Sequence, residues 1–577
     1  MKLKDLPIFD LTAGLVTNKA DVVMENGELK DSLNLDLDEQ GRLKRRKGIQ
    51  QWGDTKAGII DDSFLYTRMN STDITAYHMI VDRVNAATAY RLVGTYTLLA
   101  ITSSSTTITV ASDNALAASG NIEINGDLIA YTSKSSDVLS GITGIRTNHS
   151  AFSAVNQIIS GSALNNADTR DGVYFTTLNN LLIINSRIRI HTFDGTTYTE
   201  ITDVDSEKGI FATNYRDRIY IAGSASGTGD ANTIFFSNAG DATAWDSADT
   251  FRVENDGGGA ITGLKELNDT LLIFKLNSIF SYDEVQLKQR QRNVGAYNHK
   301  SIKRIGEVLY TFCPTGVYVT NGTESQLISK PVEKYLESFY PRYSTRGRTV
   351  ENCFAGTFNN KYYLYIGDIT VDGKDLTDIV LVYDTIKGNW TVHDGYTNIT
   401  HFGSLKGFSE GKLKDTTRSS VTQIKECLFA GDTGGKYYRL FENKFLDNEA
   451  TKTVRGGDIL PNMISDSVGS AIQTTAETKW YNIGDEPTQW SKFSKLSVLV
   501  ETGSYQVAYK LDKGDFKTDW IPLGDFKNIQ TIKPRDNVGY RIKFKITSNE
   551  RDILNIFNGF ILKGRETLDQ EQYGINK

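Results

Sequence analysis

The sequence predicts a mainly β protein: a β-propeller of six to seven blades, carrying a small inserted β module and followed by a C-terminal β-sandwich-like domain. Three observations lead there. Gly 50, Tyr 28 and Phe 26 accompany many Ile, Val and Thr while Pro is only 8; aromatic and β-branched side chains suit a pleated surface, and glycine supplies the positive φ of tight turns. Short apolar runs bounded by Asn, Asp or Gly recur at intervals of roughly 40 to 60 residues, near the repeat of a four-stranded propeller blade. The amphipathic helices of about 10 to 15 residues that a parallel α/β fold needs between its strands are almost absent.

The first 55 residues read as an extended arm and a hairpin (1–55), turning at Glu39-Gln40-Gly41 and followed by the basic cluster Arg42, Lys44, Arg45, Arg46 and Lys47. This arm is expected to close the propeller or to lie along a neighbour. Propeller sequence is assigned to 56–95 and 163–450, with units centred near 75, 185, 225, 275, 315, 370 and 430. Breaks such as Asn179-Asn180 and Lys387-Gly388 between apolar runs are hairpin signals. After Ser329, Pro331 opens a short helix whose apolar face is Val332, Tyr335, Leu336 and Phe339, spaced i, i+3, i+4 and i+7.

Between 96 and 162 the texture changes to Ser/Thr-rich alternation, with Ile122, Ile124, Ile129 and Tyr131 flanking Asn125-Gly126, a dipeptide that favours a type I′ hairpin. Blade-like sequence on both sides marks this as an insertion into the first blade, and insertions at loop tips are tolerated. The segment 451–577 supplies the C-terminal β domain. There Leu496, Val498 and Val500 share one strand face, and Tyr505, Val507 and Tyr509 share the next, with Thr502-Gly503 between them; the pattern predicts an antiparallel hairpin.

Charge and motifs narrow the function. With 64 Lys+Arg against 70 Asp+Glu the net charge is -6, which argues against a coat held on nucleic acid by an overall basic field. Cys313, Cys353 and Cys427 show no CxxC spacing, so neither a disulfide framework nor a thiolate zinc site is expected. The start lacks a secretory apolar region, and no apolar run nears the roughly 18 to 20 residues of a bilayer span, so no membrane anchor is expected.

The six histidines show neither HxH nor HExxH spacing and read as isolated surface or turn residues. Asp36 to Gly41 lacks the rest of a calcium loop and reads as a hairpin turn. Gly431 to Lys436 and Gly223 to Gly229 lack the Ser/Thr and the strand-loop-helix setting of a phosphate cradle. No GxSxG elbow or triad spacing is present. No catalytic residue, metal site or cofactor is therefore assigned. A second concentration of cations is Gln286 to Arg304, which reads as a solvated loop or subunit contact or, since clustered cations displace counterions from phosphates, as a nucleic-acid contact, with Lys288, Arg290 and Arg292 the candidate DNA contacts.

The order of residues Trp245, Gly257 to Gly259, Ile261, Gly263, Leu264, Leu271, Phe274, Lys275, Ser278 and Ile279 resembles a signature stretch of the nozzle, or tail-tubular, proteins of short-tailed phages and of packaged-DNA stabilisation proteins. Gly14-Leu15, the Asn34 segment and Arg45-Arg46-Lys47-Gly48 are similar to that family's N-terminal arm, and the likeness extends over about 1–95 and 165–560. The 96–162 module departs from the family's minimal pattern.

The resemblance implies a virion tail protein assembled in the host cytoplasm. It implies a homohexameric ring beneath the portal and adaptor, adjoining tail fibres or a needle, through which double-stranded DNA is retained and then ejected. Within it, Arg45, Arg46 and Lys47 are candidate subunit or adaptor contacts. The competing expectations are a receptor- or glycan-binding tail propeller and, since propellers host carboxylate-dependent glycosidases, an enzyme.

Overall fold

The computed structural model describes residues 3–566, apart from 21–22, 39, 52–54, 57, 70–73, 85, 112, 114–115, 160–171, 187–188, 207, 225–230, 255–256, 344–349, 410–423, 442–445, 448–469, 484–488, 515 and 549–555. The sequence-predicted loop Gly223 to Gly229 and the 448–469 junction lie largely outside the described residues.

The molecule is a β-propeller joined to a β-sandwich. Its blades are six antiparallel sheets and the antiparallel part, over 354–393, of a larger mixed sheet. Blade 1 comprises Ile59–Met69, Ile74–Val84, Ala86–Tyr96 and Ala154–Ile158. Blades 2, 3, 4 and 5 are the four-stranded sheets over 174–200, 209–252, 261–292 and 303–327, blade 6 covers 354–393, and blade 7 covers 399–440. Tight turns join the strands because Asn tolerates positive φ: Asn179 and Asn180 sit at 47° and 62°, and Asn359 and Asn360 at 48° and 56°.

The faces of the blades are apolar because each blade packs on two neighbours. Tyr66 and Met79 of blade 1 meet Leu182 and Phe193 of blade 2, and Ile183 of blade 2 meets Ile221 and Trp245 of blade 3. Tyr220 of blade 3 meets Leu264 and Ile273 of blade 4, whose Phe274 and Ile279 meet Leu309 of blade 5. Tyr310 and Phe312 then pack on Tyr362 and Leu364 of blade 6, and Phe354 on Phe402 and Leu428 of blade 7. Leu405 and Phe429 return to Ile60 and Ile80 of blade 1, so the ring closes. Each fully buried Leu, Ile or Phe in these layers contributes about 1.5 to 3 kcal/mol.

The arm ties this ring together. Ile49–Gln51 pairs with Tyr437–Leu440 as the outer strand of blade 7, immediately before the chain enters blade 1. Upstream, Glu28–Leu33 pairs with Thr474–Thr478 and touches blade 6 in parallel at Leu33 and Val392, so that blade 6 runs into one sheet of the sandwich as a ten-stranded sheet. Lys4–Ile8 and Leu43–Arg45 pair with Ile556–Glu566 in the other sheet. Leu29, Leu35 and Leu43 share the sandwich core with Leu496, Val498, Tyr505, Phe544 and Phe560.

One expectation for the sandwich is overturned. Leu496, Val498, Val500, Tyr505, Val507 and Tyr509 are all buried in the core, yet Ser491–Thr502 and Tyr505–Asp512 do not form a hairpin. The first pairs with Ile556–Glu566 and the second with Arg541–Ser548, so the chain arches from one sheet to the other at Thr502-Gly503. Alternation reports which side of a strand is dry, and both arrangements present the same dry side.

The inserted residues build their own core from Ile101, Ile108, Ile122, Ile129, Tyr131 and Leu139. Asn125 and Gly126, at φ 48° and 86°, turn the predicted hairpin with Ile122 opposite Ile129. The predicted helix is a turn at Lys330–Val332 followed by Glu333–Glu337, with Val332, Tyr335 and Phe339 buried between blades 5 and 6.

Candidate functional site

The three cations expected to meet DNA form a stripe. Leu287–Arg292 is the outermost strand of blade 4, and its side chains alternate, with Lys288, Arg290 and Arg292 exposed and Leu287, Gln289 and Gln291 half-buried. Residues two apart on a strand lie about 6.6 to 6.8 Å from one another. Arg290 Nε donates to Ser281 Oγ at 2.7 Å and Arg292 Nε to Gln289 Oε1 at 3.0 Å. None of the three forms an ion pair among the described residues. The other cations of the same loop go elsewhere: Arg304 bridges to Glu266 at 3.2 Å, and Lys300 turns inward to donate to the backbone oxygen of Asp61 at 2.8 Å.

The expected contact cluster in the arm is corrected by its burial. Arg45 and Arg46 are 1% and 0% exposed, so they face the chain itself. Arg46 donates from Nε to Asn34 Oδ1 at 2.8 Å, and from its terminal nitrogens to the backbone oxygens of Asp394 at 2.8 Å and Lys47 at 3.0 Å. Its guanidinium also lies 5.2 Å over the Tyr396 ring. Asn34, held at φ 57°, donates in turn to Asp394 Oδ1 and the Gln473 oxygen. The cluster fastens the arm between blade 6 and the sandwich; Lys47 alone is partly exposed.

The signature residues are structural. Trp245 seals the layer between blades 2 and 3, with its Nε1 donating to the Ala242 oxygen at 3.0 Å. Ile261, Leu264 and Leu271 lie between blades 3 and 4, and Phe274 and Ile279 between blades 4 and 5. Gly263 is required by close approach: a Cβ there would lie 2.6 Å from Ile302 Cδ1 and 3.1 Å from His299 Cα. Lys275 is buried and donates to the Glu254 oxygen at 2.5 Å.

The histidines also depart from the sequence reading. His78, His149, His191, His393 and His401 are buried, packed against rings or hydrogen-bonded inside the fold. Burial pushes His78 down to about 3 and His191 down to about 4. His78 Nε2 meets the Tyr437 hydroxyl at 2.8 Å, and His401 Nε2 meets Ser63 Oγ at 2.9 Å. Gly431 to Lys436 is a turn in which Asp432 Oδ1 accepts from the backbone N–H of Gly434 and Lys436. Cys313, Cys353 and Cys427 are buried and in no disulfide among the described residues. Among the described residues no three His, Cys, Asp or Glu side chains are grouped to hold a metal ion, and no helix is long and apolar enough to cross a membrane.

Motif spacing missed one feature. A cavity of about 370 Å³ opens where the innermost strands of several blades begin, lined among others by Asp61, Tyr174, Lys300, Glu351, Tyr365 and Thr400. These groups come from five blades or their approaches, so no local sequence pattern connects them; only the inference that first strands line a propeller channel points there.

No protein-family model and no curated protein matches this chain. Among solved structures, the WD40 domain of Neurospora crassa Pan2 is 12% identical, with 60% of this chain and 94% of that one covered and a TM-score of 0.27. The extracellular domain of a putative one component system from B. thetaiotaomicron is 9% identical over 91% of this chain and 79% of that one, with a TM-score of 0.28. An exo-β-1,3-galactanase from Phanerochaete chrysosporium is 8% identical over 69% and 96%, with a TM-score of 0.22. Likeness this distant says nothing of what the chain does.

Proposed function

We propose that this chain is a structural subunit of a short-tailed phage tail, a wall segment of a ring-shaped nozzle below the portal and adaptor that retains packaged DNA and conducts it during ejection. The observation that carries the proposal is the arm: one N-terminal segment supplies strands to both sheets of the sandwich and the closing strand of blade 7. A conduit wall under the pressure of packaged DNA needs such stiffness between its parts, and closed sheets have few edges to pair wrongly. The ordered signature from Trp245 to Ile279, which resembles the nozzle proteins, supports the same reading because its residues form blade junctions.

In a homohexamer the formal charge is six times -6, or -36. An acidic lumen lets DNA slide without adhering, and a stripe such as Lys288, Arg290 and Arg292 supplies the local grip. The role is non-catalytic and needs no cofactor.

The purified protein mixed with portal and adaptor is expected to give a ring docked end-on in negative-stain images. Replacing Lys288, Arg290 and Arg292 together by Gln is expected to reduce the slope of log affinity for duplex DNA against log salt by about 2 to 3, at roughly 0.9 per phosphate contact. A monomer that ignores the adaptor, or an unchanged salt slope, would refute the nozzle and the stripe respectively.

One observation favours a second reading, a glycan- or receptor-binding tail propeller: the channel-mouth cavity sets Tyr174 and Tyr365 beside polar groups. On that reading the isolated protein binds host cells without portal or adaptor. A related glycosidase would in addition release sugar from capsular polysaccharide.

A further inference from the structure

We infer that the outward face of the ten-stranded sheet, at its sandwich end, binds a polysaccharide bearing carboxylates, along a stripe from Lys517 and Arg541 to Lys510 and Lys545. This goes beyond the nozzle reading and uses no residue of the channel-mouth cavity.

The stripe follows from strand alternation. Val507, Tyr509 and Leu511 of Tyr505–Asp512 enter the sandwich core, as do Ile542, Phe544 and Ile546 of Arg541–Ser548, so their alternate neighbours point outward. Register then sets Asp512 opposite Arg541, Lys510 opposite Lys543 and Ala508 opposite Lys545. The edge strand Ile521–Phe526 packs Ile521 and Leu523 against the core and leaves Pro522 and Gly524 exposed. From Arg541 to Lys545 the stripe runs about 13 Å, at roughly 3.3 Å per residue.

Indole rings hold the cations in place. Lys510 Nζ lies 5.0 Å and Lys545 Nζ 5.7 Å from the centre of the Trp520 ring. Ring and amines meet across Tyr505–Asp512, where the small Ala508 leaves room for them. Trp480 plays the same part at the other end, with Lys517 Nζ at 5.6 Å and the Arg541 guanidinium at 5.9 Å. A lysine side chain carries about 2 kcal/mol of rotamer entropy. A ring that already holds the ammonium group lessens what binding must still order. Trp520 is only half-buried, so part of its apolar surface stays open beside the cations.

Cations outnumber carboxylates here. Asp512 Oδ2 is taken by Arg541, whose Nε donates at 3.0 Å. Glu477 bridges to Lys543 at 3.2 Å and stands 3.7 Å from Lys545, so one carboxylate serves two ammonium groups. Lys510 and Lys517 form no hydrogen bond and no ion pair among the described residues. Lys510 also faces Lys543 directly across the strands, and like charges so placed weaken a sheet. A bound anion reverses that effect, because it accepts charge-assisted hydrogen bonds from both. Asp31, opposite Glu477 on the arm strand, ends the basic stripe on that side.

The carboxylates set among the cations select the polymer. A nucleic-acid strand carries a phosphate at every nucleotide and would bring some of them against Asp512 and Glu477. A polysaccharide whose carboxylates are separated by neutral sugars avoids this. Its anions meet Lys510, Lys517 and Lys545, its hydroxyls donate to Asp512 and Glu477, and the C–H face of a sugar ring packs on Trp520. The flat surface at Ala508, Pro522 and Gly524 gives an extended chain room to pass.

The test titrates the full chain by calorimetry with octasaccharides of hyaluronan and of chondroitin, which carry a carboxylate on alternate sugars, with their carboxyl-reduced forms, and with a dodecamer of single-stranded DNA. Saturable binding of at least one acidic octasaccharide with Kd at or below about 1 mM is expected, weakening as salt is added. Its carboxyl-reduced form should bind at least about tenfold more weakly. Lys510→Gln and Lys545→Gln should each weaken binding about tenfold, Trp520→Leu should weaken it too, and Lys563→Gln on the other sheet should leave it unchanged. Lys510→Gln should melt no lower than the parent, since it removes a like charge opposite Lys543; the same measurement shows that the variant is folded. No saturable heat with either acidic octasaccharide up to about 10 mM would overturn the inference. So would equal affinity for a carboxyl-reduced form, unchanged affinity in the folded double Gln variant, or tighter binding of the DNA. Docking to portal and adaptor is read in a separate experiment, so the nozzle proposal and this one fail independently.

Discussion

Replacing Arg46 by Met separates an internal clasp from a subunit contact. The guanidinium is wholly buried and donates to Asn34 Oδ1, the Asp394 oxygen and the Lys47 oxygen. Met fills most of the stem's volume but donates nothing. Asn34 Oδ1 keeps the backbone N–H of Asp394 at 3.0 Å, whereas the carbonyls of Asp394 and Lys47 lose a charged donor. Each charged hydrogen bond is worth about 1.5 to 3 kcal/mol, and removing one partner of a buried charged network costs about 3 to 5 kcal/mol. A net loss of about 4 kcal/mol follows. For a cooperative unit of about 200 residues, with an unfolding entropy near 2.1 cal/mol/K per residue, that lowers Tm by about 10 °C. Scanning calorimetry of the purified variant reads the shift directly. A drop under about 2 °C, with loss of ring assembly instead, would refute the clasp and return Arg46 to a contact surface.

Gly263→Ala should destabilise by about 1 to 3 kcal/mol through overpacking against Ile302 Cδ1 at 2.6 Å, and Ile302→Val, which removes that atom, should restore most of the loss in urea midpoint. Stability should fall as pH drops from about 6.5 toward 4, because the unfolded chain takes up protons that buried His78, held near 3, and His191, held near 4, refuse in the folded state. A urea midpoint constant across that window would contradict both burial assignments. The module can be excised: Thr97 N–H donates to the Ser153 oxygen at 2.9 Å and Tyr96 pairs with Ala154, so replacing 98–153 by a short turn should leave the propeller folded. That deletion also removes Glu123, which pairs with Lys56 where both are almost fully buried, so a version carrying Lys56→Met should melt higher than the simple deletion.

Much of the architecture was legible because propeller blades are local. Asn179-Asn180 and Asn125-Gly126 each encode a turn within two residues, and the strands they join pair at once. The unit centres near 75, 185, 275, 315, 370 and 430 each fall within the span of one sheet, while 225 itself lies outside the described residues. What failed was partnership across distance. Ser491–Thr502 and Tyr505–Asp512 carry the alternation of a hairpin but belong to facing sheets, since a buried stripe specifies a core and not a neighbour. The channel cavity was invisible for the same reason, its groups arriving from separate blades.

The two basic clusters show why charge is hardest to place from sequence. Arg45-Arg46-Lys47 and Lys288-Arg290-Arg292 both read as exposed cations. The second lies on the last strand of its blade, where alternate side chains have nothing beyond them, and it stays in solvent. The first begins on the last residue of a strand inserted into the sandwich sheet, and the Asp394 and Lys47 carbonyls beside it need donors once water is excluded. A guanidinium with five N–H groups satisfies such carbonyls where a hydrophobic side chain leaves them unpaired. Whether an arginine faces a partner or its own chain is therefore settled by the unsatisfied backbone groups around it, and those are fixed only when distant strands have met.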